Sequence, residues 1–102
     1  MSVNVNGIVG LRSGLAAEAT VGLRLTLVQL LVPSLSAEVI PQAVLLWCDF
    51  DAAGHLLSVR SDSGPVSAVV LSAVQRAAAQ LSVPDALIGS AFSLDVLLEP
   101  GA

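Results

Sequence analysis

Tyrosine and lysine are absent from this chain of 102 residues, and cysteine, histidine, methionine and tryptophan each occur once. The lone Cys48 excludes an internal disulfide and any multi-cysteine metal site. Four arginines against eight acidic residues give a net charge of −4, so the basic footprint that precedes nucleic-acid binding is missing. Charged residues make up 12% of the chain, about half the usual share of roughly 25%. A membrane-spanning helix needs about 20 consecutive apolar residues. Uncharged stretches such as Leu25 to Ala37 fall short of that, and Pro33 interrupts this one. Gly-rich phosphate loops, CxxC pairs and HExxH are also missing. No catalytic, cofactor or metal site is expected.

What is present is apolar side chain: 55% of residues are hydrophobic and the mean hydropathy is +0.87. A chain of this length builds one domain around one core. So small a core cannot hide that much apolar surface, and the remainder should meet another protein or a second copy of the chain. The opening MSVNVNGIVG lacks the basic start and long apolar centre of a secretory signal. The expectation is a cytoplasmic protein, or an exported domain given without its export segment.

The organising stretch runs from Ala43 to Ala78. Ala43 to Phe50 alternates as a strand, with Val44, Leu46, Cys48 and Phe50 on one face and Leu45, Trp47 and Asp49 on the other. Apolar residues on both faces point to a central strand. Asp51-Ala52-Ala53-Gly54 supplies turn chemistry, aspartate first and glycine where the backbone reaches positive φ. His55 to Ser61 returns as the partner strand. Pro65 then opens a helix to about Gln80, with Val66, Val69, Val70, Ala73, Val74, Ala77 and Leu81 as its buried stripe. Asp85 to Ile88 reads as a short turn before Gly89. Phe92 to Leu98 alternates as a last strand, with Phe92, Leu94, Val96 and Leu98 inward.

Upstream, Leu15 to Val32 has helical periodicity through Leu23, Leu27, Leu30 and Leu31. Gly22 weakens its middle and is placed to divide it into two pieces, and Pro33 is expected to end it. Ser34 or Ser36 is then placed to cap a short turn through Val39. Residues 1–14 read either as a hairpin, Ser2 to Asn6 and Ile8 to Arg12 about an Asn6-Gly7 turn, or as a frayed terminus. The predicted fold class is α+β: a small antiparallel sheet of about three strands packed with two helices.

Three groups invite a chemical reading. Cys48 and His55 can be drawn as a nucleophile and base, but alternation turns Cys48 away from Asp49 and nothing marks an oxyanion site. Asp49 and Asp51 share a strand face, yet two carboxylates fall well short of the ~6 oxygens calcium takes. Trp47 reads as core, or as an interface anchor.

FDAAGHLLSVRS from Phe50 to Ser61, DSGP from Asp62 to Pro65, AVQRAA from Ala73 to Ala78 and FSLDVLLEP from Phe92 to Pro100 together resemble the carboxy-terminal domain of the TonB/TolA energy-transducer family. The resemblance covers about residues 43–100. It implies a non-enzymatic periplasmic module in which a free sheet edge accepts an extended segment of a partner protein by strand addition. The candidate edge is the last strand, through Phe92, Ser93, Leu94, Asp95, Val96 and Leu97, with Trp47 as a further contact. Ser93 and Asp95 would keep that edge from indiscriminate pairing. The alternative is a cytoplasmic dimerising scaffold of the roadblock type, where a hairpin with a D-x-x-G turn precedes a helix and subunits pair through sheet edges and helices.

Overall fold

Alternating and helical segments fold in the order β1 (Ser2–Val9), α1 (Ala17–Leu35), β2 (Val44–Phe50), β3 (Leu56–Ser61), α2 (Ala68–Ala79) and β4 (Phe92–Glu99). The computed structural model describes residues 2–9, 17–62 and 64–100. The predicted class holds: among the described residues two helices lie on an antiparallel sheet, but the sheet has four strands, in the order β1-β4-β2-β3. Each helix joins two strands that are not neighbours. The β1–α1–β2 unit leaves a slot that β4 fills, and the β3–α2–β4 unit spans β2. The two β-α-β units are thus interleaved, a split arrangement.

The extra strand comes from the amino terminus. Residues 2–9 are neither frayed nor a hairpin: they form one strand whose partner is β4, with Val3 opposite Leu98 and Val5 opposite Val96. The expected turn at Asn6-Gly7 is instead a register shift inside that strand. A bulge of this kind adds one residue and bends the strand without ending it. Residues 10–12 of the expected hairpin lie outside the described residues.

The core lies between the helices and one sheet face. Val44, Leu46, Cys48 and Phe50 of β2 and Phe92, Leu94, Val96 and Leu98 of β4 are all buried there. Phe50 stacks on Phe92, ring centroids 5.0 Å apart. Helix α1 contributes Leu23, Leu27, Leu31 and Leu35, a row at four-residue spacing. Pro33 does not stop this helix, which runs on to Leu35, nor does Gly22 divide it. One hydrogen bond lost to proline near a helix end costs less than in mid-helix, and full burial of Leu35 offsets it with about 2 kcal/mol. The hydroxyls of Ser34 and Ser36 donate back to the Leu30 and Pro33 carbonyls rather than capping a new turn.

Helix α2 begins at Ala68, three residues later than predicted. Val70, Ala73, Val74, Ala77 and Ala78 form its buried face, while Val69 points outward and Val66 is half-buried in the preceding loop. The β2–β3 hairpin forms as predicted. The Asp51 carboxylate accepts from the N–H groups of Ala53 and His55, and Gly54 takes φ +85°.

Candidate functional site

The last strand is not an edge. β4 is flanked by β1 on one side and β2 on the other, so Phe92, Ser93, Leu94, Asp95, Val96 and Leu97 have no free backbone margin to offer. Phe92, Leu94 and Val96 are core residues. Ser93, Asp95 and Leu97 are half-buried on the opposite sheet face, which no described helix covers. Trp47 lies on the same face, half-buried, with Asp95 opposite it in register and its Nε1 3.5 Å from Asp62 Oδ2.

Asp49 is the polar centre of that face. Its carboxylate accepts from Arg60 Nε at 2.6 Å, Arg60 Nη2 at 3.0 Å, Ser58 Oγ at 3.0 Å and Ser93 Oγ at 2.6 Å. The Arg60 guanidinium holds the Asp49 pKa down to about 2, against a smaller opposing effect of burial and with help from the serine hydroxyls. Four donors leave this carboxylate committed to the sheet. Asp51 is committed to the turn, so the two acids do not converge on a cation. Among the described residues no group of three or more His, Cys, Asp or Glu side chains is placed to hold a metal.

Cys48 and His55 are not brought together. Cys48 points into the core opposite Val59 and Leu94, and burial, then the charge of Asp49, pushes its pKa up to about 12. His55 projects from the hairpin turn with its Nδ1 3.8 Å from Asp51 Oδ2 and its side chain 80% exposed. A thiol held neutral and a histidine in solvent give no nucleophile–base pair.

Both outer strands, β1 and β3, have a free margin, and a trough lies beside that of β3. β3 pairs with β2 alone. The Asp62 N–H donates to the Leu45 carbonyl. Antiparallel alternation then makes Arg60 and Ser58 the residues bonded to β2, and turns the backbone N–H and C=O of Val59 and Ser61 outward. Beside this margin lies an open trough of about 530 Å³. Leu56, Leu57 and Ser58 form its sheet wall, and Ser72, Gln75, Arg76 and Ala79 of α2 its helix wall. The register shift between Asp49 and Phe50 makes Leu57 the extra residue of a bulge, and its side chain is 66% exposed.

No family model, curated protein or solved structure matches the chain. The site is therefore defined by geometry. Two other features compete for attention. A smaller apolar hollow of about 110 Å³ lies where the loop before β2 meets the loop before α2, lined by Val39, Ile40, Pro41, Val66 and Val70 among others. The outer face of α1 exposes Val21, Leu25 and Val32, the apolar surplus that composition called for. The hollow is lined by no charged side chain. Among the described residues no helix is long and apolar enough to cross a membrane.

Sequence reasoning identified β3 as a strand but missed its position. The available signal was β2, whose apolar residues on both faces marked it as central. That left β3, with four of its six residues exposed, Leu56 half-buried and Val59 buried, as the outer partner.

Proposed function

We propose that the chain is a non-enzymatic protein-binding module that takes up an extended segment of a partner protein by strand addition on β3. One observation carries the reading: an unpaired strand margin runs beside an open trough walled by a helix. Backbone hydrogen bonds to Val59 and Ser61 would supply affinity, and side chains on the inward face of the added strand would enter the trough. The TonB/TolA resemblance supports the same mode of binding, moved from β4 to β3, and a periplasmic setting for an exported domain.

The test is an NMR titration with an eight-residue peptide of alternating valine and threonine carrying one central glutamate. Amide shifts are expected along Leu57 to Ser61 and along α2 from Ser72 to Ala79. Ser61→Pro should abolish binding and leave the fold intact, because proline is tolerated where an edge N–H faces solvent. Shifts confined to β1 or to the face around Trp47 would overturn the proposal. So would a tight dimer in sedimentation that shows no peptide binding, which favours the dimerising scaffold.

A further inference from the structure

The trough is not chemically neutral. Seven residues line it, and Arg76 is the one among them that carries charge. Arg76 sits in the last turn of α2 and is exposed. It makes no salt bridge among the described residues, whereas Arg60, the other exposed arginine described, is consumed by Asp49. In a chain of net charge −4, an exposed guanidinium on the wall of this trough is a local inversion of the protein's overall sign. Guanidinium groups match carboxylates through paired, parallel hydrogen bonds.

Resting on the strand-addition reading, we infer that Arg76 selects partner segments with a carboxylate on the side of the added strand that faces α2. Successive side chains of a strand point to opposite faces. Residues two apart on the added strand therefore enter the trough together, one against Leu56 and Ala79 and the next against Arg76. The recognised pattern is an apolar residue, any residue, then an acidic one, in either chain direction. The surplus acidic charge elsewhere on the protein repels acidic peptides from other surfaces, so the preference is confined to this trough.

The probes are the valine–threonine peptide with its central glutamate and the same peptide with glutamine in that place, followed by fluorescence anisotropy at low salt. The native protein is expected to bind the glutamate peptide about fivefold more tightly, the scale of a partly solvated charged pair in favourable geometry. Arg76→Gln should bring the two peptides level. Arg76→Glu should reverse the order against a lysine-substituted peptide. Equal binding of glutamate and glutamine peptides to the native protein overturns the role of Arg76 while strand addition stands. Failure of both peptides to bind removes the strand-addition reading and this inference with it. Arg76 also lies where a cation favours the helix dipole. That structural role would lower thermal stability in Arg76→Gln but would not discriminate between the two peptides.

Discussion

The guanidinium of Arg60 grips the Asp49 carboxylate with two hydrogen bonds of 2.6 and 3.0 Å, although the residue directly opposite Asp49 is Ser58. The pairing is diagonal and lies on the uncovered sheet face. It locks β3 to β2 from outside, and with Ser93 it extends the lock to β4.

This lock has a pH signature. The Asp49 pKa is lowered from 3.8 to about 2 in the folded protein. A depressed carboxyl contributes stability that is fully present above its unfolded value and is lost as the pH falls through the folded one. Asp49→Asn should therefore lower the thermal midpoint by a few degrees at pH 7, and the two midpoints should converge as the pH approaches 2. Calorimetric scans across that window check it, and a constant difference down to pH 2 would refute it.

Gly54 and Gly64 both take positive φ, +85° and +96°, but only Gly54 is crowded. A Cβ there would stand 2.8 Å from Ile88 Cδ1 and 3.0 Å from Val83 Cβ, while Gly64 faces open space. Gly64→Ala should cost about 1 kcal/mol of backbone strain. Gly54→Ala should cost more, about 2–3 kcal/mol with the packing displaced. Urea unfolding of the two variants measures the difference; equal costs would show that the hairpin turn is not held against the loop before β4.

Leu94 and Leu57 separate stability from binding. Leu94 is fully buried in β4, and Leu57 is 66% exposed on β3. Leu94→Ala should cost about 2–5 kcal/mol. Leu57→Ala should stay within about 0.5 kcal/mol yet weaken peptide uptake, since it removes apolar wall from the trough. A large loss of stability in Leu57→Ala would place that side chain in the fold and not in the site.

Cys48 should be inert in the native state. Its thiol is buried and its pKa raised to about 12, so a disulfide reagent at pH 8 should react at the rate of global unfolding and become fast in urea. Rapid labelling of the folded protein would contradict the burial.

How far the sequence foretold this molecule depends on which question is asked. Hydrophobic alternation reports which face of a strand is buried, and it placed Phe92, Leu94 and Val96 inward correctly. It says nothing about which strands lie to either side. Ser93 and Asp95 suggested a guarded edge, but polar residues on alternate positions serve an uncovered face equally well, and Ser93 is in fact spent on Asp49. The Asp51–Gly54 turn was legible because its residues satisfy one another locally. β1 was not, because its only evidence was Val3 and Val5, whose partners Leu98 and Val96 are more than ninety positions away in the chain. The trough was equally hidden: Leu57 and Arg76 share no local pattern and meet only through the packing of α2 along β3.

The interleaved strand order dictates a sequence of events during synthesis. Until the final segment emerges from the ribosome, β1 has no neighbour and β2 has a bare flank, with a strand-wide gap between them. The first and last residues of the sheet, Ser2 and Glu99, are paired with each other. Closing so long a loop is slow, and the unfilled gap is a template for foreign strands in the meantime. A nascent chain of this design would need that opening shielded until its own carboxy-terminal strand arrives to zip it shut.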